Sequence, residues 1–301
     1  MIKKKLKTPK FKTPNILFFL LFVVLGLYAI SLVLPFIWGI FTSLKDQTAF
    51  ALDPFGIPKQ WHFENYVRAI DLFYVRIETN DSGRAATFVY IEEMLLYSLL
   101  YCVGNAFFST LAPCLVAYIT AKYPYRPMKW INTFVIIAMI LPIVGNGPSE
   151  MQMIKTLGLY DSIFGFYFVK FSFMGLYYLL FYAAFKNLSW GYAEAAIMDG
   201  ASNLTVMIRI MFPLVSGTFG VIMLLLFIGY WNDYLTPTLY LPSYPTVAVG
   251  LYKYYSAPGQ ETGLIPMQLT GCMIVMLPIL IVFIAFRDKI MGNIAVGGLK
   301  G

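Results

Sequence analysis

The side chains able to do chemistry are few in this chain, and they are scattered. His62 is its only histidine and stands between Trp61 and Phe63; catalytic or metal use would need a set of partners that the sequence does not show, so it reads as a surface histidine. Cys102, Cys114 and Cys272 all lie in apolar stretches and lack the paired spacing of a zinc site or a disulfide framework; they read as inert core thiols, and no metal site is expected. Lys170 is a lone cation in an apolar run. Two roles fit it: a functional charge inside a membrane span, or an ammonium that snorkels to the interface. Asn232 and Asp233 follow Trp231 at the end of another apolar run, where polar groups beside an aromatic plane suit a hydroxylated substrate and where Trp also serves as an interfacial anchor. Tyr177, Tyr178, Phe181 and Tyr182 present a similar choice between stacking on a ring-shaped substrate and packing against lipid or neighbouring helices. A membrane enzyme would need clustered acids, histidines or a nucleophile beside its base, and no such constellation is written here. The expected chemistry is therefore recognition and mechanical coupling, with no catalytic residue.

One polar stretch has internal order. Ser189 to Leu214, SWGYAEAAIMDGASNLTVMIRIMFPL, reads as helix, turn, helix. Ser189 is a plausible N-cap, Tyr192 to Asp199 favours helix, and Gly200 suits the left-handed residue that ends one. Ser202 or Asn203 can cap a second helix that carries Val206, Ile210 and Pro213 into an apolar run. Ala193, Ala195 and Ala196 keep the first helix narrow enough to fit a groove, Gly200 turns the chain back, and Glu194 offers a charge to orient a contact or to tie the turn together.

The elements holding these residues are apolar. Of 301 residues, 59% are hydrophobic and only 12% are charged, against about 25% in a soluble chain, which argues for several membrane spans in one integral domain covering 1–301. The net charge of +7 is dispersed or gathered beside apolar runs, so membrane orientation accounts for it and nucleic acid is not an expected partner. Six spans are predicted, at residues 15–41, 94–121, 130–147, 163–185, 213–235 and 264–286. The third is broken near Pro142, Gly145 and Pro148. The first span is retained, being too long for a signal peptide and lacking a cleavage site. Fourteen of the 22 Lys and Arg fall in the leader (1–14), at Lys122 to Lys129, at Lys186 and Arg209 around the polar stretch, and in the tail (287–301). The positive-inside bias then places both termini and the 189–212 loop in the cytoplasm, and the 43–93 loop outside. The expected fold is all-α, with six transmembrane helices and a cytoplasmic helix between spans four and five.

Glu194, Ala195 and Ala196, then three residues, Gly200, nine residues, Ile210, one residue, and Phe212 with Pro213 resemble the EAA loop of ABC importer permeases, with Phe212 where that pattern has Leu. The resemblance extends to the sugar-importer, MalG-like branch through Phe63–Tyr66, Ala117–Ile119, Ile140–Pro142, Asp199–Ala201, Trp231–Asp233 and the ending Gly297–Gly301. Asp71 to Tyr90 matches none of that family's landmarks.

The resemblance implies a permease subunit of a bacterial or archaeal cell membrane, paired with a second, MalF-like permease, two ATPase subunits and an external substrate-binding protein. ATP and Mg would be bound by the ATPase subunits, since this chain has no Gly-x4-Gly-Lys-Ser/Thr loop and needs no cofactor of its own. It further implies that Glu194, Ala195, Ala196, Asp199 and Gly200 face the ATPase, that Gly297, Gly298 and Lys300 of the tail reach it, and that Asn232, Asp233 and Lys170 are candidates for the substrate path. In the maltose system the partner permease supplies the main membrane sugar site, so the last three need not touch substrate. The expected cargo is a sugar, most simply an oligosaccharide. The alternative is the same architecture carrying a polyamine, peptide or glycerol phosphate.

Overall fold

The computed structural model describes residues 16–77, 87–123, 125–141, 145–256 and 261–297, with side chains as far as Phe286. The basic leader, Pro142 and the last residues Gly298 and Lys300 lie outside the described residues.

Helix α1 (Ile16–Ser43) is exposed along nearly its whole length. At its C-terminal end Gly39 comes against Met273 of the last helix. The following α2 (Gln47–Leu52), α3 (Glu64–Leu72) and an antiparallel pair of strands, β1 (Tyr74–Ile77) and β2 (Thr87–Tyr90), occupy the stretch expected to be a loop. The fold is therefore mostly helical but not all-α. The strand pair falls where the sequence matches no family landmark, and β-branched and aromatic residues (Tyr74, Val75, Ile77, Phe88, Val89, Tyr90) make up most of it. The landmark Asn65 is explained by its position: its buried amide donates to the carbonyls of Ser43 and Lys45 (both 2.9 Å), satisfying backbone acceptors at and just after the end of α1. Thr270 donates to the same Ser43 carbonyl at 3.1 Å, so α1, α3 and the last helix are tied at one point.

Helix α4 (Ile91–Lys122) is the axis of the molecule and packs against several of the helices that follow. Several of its polar side chains are satisfied internally, as an apolar surround requires: Ser98 donates to Met94 O and accepts from the amide of Val247, and Thr120 meets the hydroxyl of Tyr178 at 2.9 Å. Helix α5 (Arg126–Ile140) begins earlier and ends earlier than the third predicted span, and α6 (Gly147–Thr156) is a short separate helix. The fourth predicted span is two helices, α7 (Ile163–Lys170) and α8 (Leu176–Asn187), interrupted by a turn at Gly175, whose φ is +126°.

The polar segment follows as α9 (Gly191–Met198) and α10 (Asn203–Val206), then a wide π turn (Met207–Met211) and α11 (Phe212–Leu214). Helix α12 (Ser216–Trp231) leads to α13 (Leu235–Tyr240), α14 (Val247–Tyr255) and the terminal α15 (Ile265–Gly297). The last helix does not stop at Phe286, where the tail was expected to begin, but runs on to Gly297.

Among the described residues, three helical stretches are long and apolar enough to cross a membrane: Phe18–Ser43, Ile91–Lys122 and Ile265–Phe286. Asn203–Leu214 with Ser216–Trp231, bent 71° from one another, makes a fourth if counted as one span. The third predicted span ends as a helix at Ile140 and resumes as α6 at Gly147, on either side of the break expected there, whereas the interruption at Gly175 leaves the fourth in shorter pieces than the hydropathy pattern predicts.

Candidate functional site

Helix α9 ends in a two-bond turn. The amide of Gly200 donates to Ile197 O and that of Ala201 to Ala196 O, both at 2.9 Å, with Gly200 at φ +86°. This is the Schellman arrangement, and it satisfies carbonyls that the helix end would otherwise leave unpaired. At the other end the cap residue is Trp190, one residue later than the sequence suggested. Ser189 Oγ still accepts from the Gly191 amide at 3.2 Å, so the hydroxyl meets a first-turn donor without being the formal cap. Ser202, not Asn203, caps α10 by accepting from Thr205 N at 3.3 Å.

Pro213 shapes what comes next. It has no N–H to offer the carbonyl four residues back, and its ring crowds that carbonyl; the chain widens into the π turn, in which Phe212 N reaches Met207 O. The axis then breaks at Val215.

Alanine spacing decides how α9 sits. Ala193 is fully buried and Ala196 and Ala201 are half-buried against a cluster formed by Tyr118, Phe185, Val206, Met211 and Val215. The departure at Phe212 is packed, its ring lying 6.0 Å from Tyr118 and 6.1 Å from Phe185. Lys122 Nζ donates to Leu188 O at 2.7 Å, and Trp190 meets Tyr123 edge-on at 5.9 Å; both fasten the entry to α9 onto the end of α4. These anchors were missed in the sequence, where Lys122 and Tyr123 read only as a basic connection.

The opposite face is open. Glu194, Ala195, Asp199 and Gly200 are exposed, Met198 is 87% exposed, and Tyr192, Leu204 and Ile208 extend the same uncovered surface. Neither carboxylate, Glu194 nor Asp199, has a hydrogen bond or ion pair with a described residue, so Glu194 does not tie the turn. The result is a short helix docked by small residues, with apolar and acidic side chains facing outward.

The candidate path residues behave differently. Asp233 accepts from the hydroxyl of Tyr101 at 3.1 Å and from Thr236 N at 3.0 Å, joining α4, α12 and α13. Tyr101 meets Tyr230 edge-on at 5.7 Å, the Tyr230 hydroxyl is 2.9 Å from Ser109 Oγ, and Ser109 donates to the carbonyl of Lys170 at 3.2 Å. Asp233 and the backbone of Lys170 thus belong to one seam, while the Lys170 ammonium lies over the Phe166 ring at 5.0 Å. Asn232 is exposed and donates to Ile228 O at 2.9 Å. Trp231 is buried, stacked on Phe227 at 6.0 Å, and its indole N–H has no partner among the described residues. Tyr178 and Phe181 are fully buried, which places them in helix packing. His62 pairs with Glu64 at 2.6 Å, and this bond holds the Glu64 carboxyl below the usual carboxylate range.

No protein-family model matches the chain. It is similar over most of its length to curated permeases: the arabinooligosaccharides transport system permease protein AraQ of Bacillus subtilis (25% identical, 98% of this chain and 99% of that protein). The trehalose/maltose transport system permease protein MalG of Thermococcus litoralis is 26% identical over 91% of this chain and 94% of its own length. Among solved structures, the crystal structure of a bacterial ABC transporter involved in the import of the acidic polysaccharide alginate contains a chain of like fold, with TM-score 0.73 and 22% identity over 93% of this chain and 99% of that one.

Proposed function

We infer that this chain is the transmembrane permease subunit of an ATP-driven, binding-protein-dependent sugar importer, with an oligosaccharide as cargo. The observation that carries the reading is the α9–α10 segment, a compact helix with a two-bond Schellman end, seated on the bundle by Ala193 and open on its other face. End-to-end similarity to sugar permeases supports it.

In this reading the open face of α9 fits a groove on an ATPase subunit, and Glu194 and Asp199 meet charge there. ATP and Mg are held by the ATPase pair, and this chain performs no hydrolysis. A second permease completes the pathway, an external binding protein delivers the sugar, and nucleotide-driven motion of α9 is passed through α8 and α12 into alternating access. The remaining apolar segments bring the number of crossings to six, with both termini and α9 cytoplasmic, and the tail around Gly297, Gly298 and Lys300 reaches the ATPase. Deleting Gly297 to Gly301 should lower transport-coupled ATP hydrolysis without preventing insertion; full activity after deletion would remove the tail from the mechanism.

The test of the reading is uptake by proteoliposomes holding this chain with its partner permease and ATPase pair. ATP-dependent accumulation of a labelled oligosaccharide only when the loaded binding protein is added is expected. Accumulation of a polyamine, peptide or glycerol phosphate in place of sugar would contradict the cargo, and uptake without ATP would contradict the importer.

A further inference from the structure

Asp161 is the one non-glycine residue with positive φ (+56°) among the described residues, and it occupies that strained conformation at the corner between α6 and α7. Its amide and its carboxylate are both directed at one turn, about eighty residues on in the chain. The amide of Asp161 donates to Tyr240 O at 2.9 Å; its carboxylate accepts from Ser243 N at 2.9 Å and from Ser243 Oγ at 2.6 Å. Beneath this clamp the two elements are packed, with Phe166 of α7 and Tyr240 of α13 at 5.7 Å and Ile154, Ile163 and Leu241 in the same buried cluster. A turn alone would be served by glycine, which carries no strain at this φ. Aspartate adds the carboxylate.

The location gives the clamp its meaning. The α7–α8 unit and α12 flank the coupling segment, their near ends joined to it through Leu188 and Val215. Asp161 precedes the far end of α7, and Ser243 follows the far end of α12 by way of α13. With the coupling segment closing one end and the clamp the other, α7–α8 and α12 form a closed frame, in which a push at α9 cannot be lost by splaying the far ends apart.

We propose that Asp161 is a positioning residue for coupling: by holding the Tyr240–Ser243 turn it makes the far ends of α7 and α12 move together, so that arrival of the loaded binding protein at that end is felt at the coupling helix. This rests on the function proposed above. The clamp stays closed throughout the transport cycle.

The experiment measures ATPase activity of the reconstituted complex with and without loaded binding protein, at equal amounts of assembled complex. Asp161→Gly relieves the strained backbone while removing the carboxylate, and should lower the ratio of stimulated to basal activity by about two- to tenfold, the range a lost hydrogen bond commands. Asp161→Asn, which tolerates the left-handed conformation and keeps one acceptor, should lie between Asp161→Gly and the parent. A second arm replaces Asp161 and Ser243 by cysteine in a background freed of Cys102, Cys114 and Cys272 and joins the pair with a short thiol crosslinker cleavable by reductant. The joined form should regain the parental ratio and lose it again on cleavage.

A parental ratio in Asp161→Gly, or a lowered melting temperature with the ratio unchanged, overturns the proposal by reducing Asp161 to a structural role. Transport abolished by the crosslink overturns it too, because the clamp would then have to open. A parent complex that the loaded binding protein does not stimulate overturns the functional reading itself, and this inference falls with it.

Discussion

Four carboxylates divide this molecule into two kinds of region. Glu194 and Asp199, on and just after α9, are exposed and without partners among the described residues, whereas Asp233 and Asp161 are committed to other parts of the same chain by hydrogen bonds of 2.6–3.1 Å. The difference separates two uses of charge. A carboxylate engaged internally fixes where helices sit, and removing it leaves donors such as the Tyr101 hydroxyl unsatisfied. A carboxylate left open on a well-seated helix contributes little to the fold and is free to meet a partner. The C-terminal turn of α9 is closed by two backbone bonds while its outward side chains are unpaired, so the segment is defined in shape and unspent in interactions.

Substitutions can break this contrast. The largest effect is expected from Gly200→Val, because a β-branched side chain at φ +86° costs about 1–3 kcal/mol and re-aims the turn. Uptake per assembled complex should fall at least roughly tenfold, the equivalent of about 1.4 kcal/mol. Next comes Asp233→Ala, which strands the Tyr101 hydroxyl and should destabilise the fold by about 1–3 kcal/mol, read as a lower melting temperature of the purified chain. Asp233→Asn keeps an acceptor and should lose less. Glu194→Ala should reverse the pattern: an unchanged melting temperature, with uptake reduced by a few-fold, on the order of 1 kcal/mol of contact made only in the complex. A lowered melting temperature in Glu194→Ala with normal uptake would erase the distinction. The smallest effect is predicted for Lys170, whose ammonium over Phe166 is worth about 0.5–1 kcal/mol. Arg should replace it without loss, and Leu should cost a few degrees of melting temperature with modest loss of uptake; parental values in Leu for both would leave the cation without a role.

The sequence made the helix–turn–helix of α9 and α10 legible because every determinant there is local. Gly200 ends a helix by its own φ, Ser202 caps the next through a bond three residues away, and Pro213 perturbs the turn just before itself. The single-residue error at Ser189 is of the same local kind. The Asp233 seam was half legible: an acid at the end of an apolar run marks a polar site, but its partner Tyr101 is 132 residues away and carries no signal in sequence. The packing of Trp231 was illegible for a related reason, since only tertiary structure shows it buried on Phe227. The strands β1 and β2 were passed over because four-residue stretches inside a polar region lack the alternation that would announce them. Apolar runs located the long helices, and prolines and glycines marked the end of α5 ahead of α6, but the interruption between α7 and α8 went unread, because hydropathy records burial in lipid and is silent about a glycine at φ +126°.

The central claim is that the open face of α9 meets an ATPase subunit in the cytoplasm, and a single cysteine at Met198 tests it most directly, that side chain being 87% exposed. In the assembled complex, Met198→Cys should crosslink to the ATPase through a short bifunctional thiol reagent, while Ala193→Cys, buried against the bundle, should not. It should also resist an impermeant thiol reagent added to intact cells and react once the membrane is opened. Labelling of Met198→Cys from outside intact cells, or crosslinking from neither position, would contradict the account.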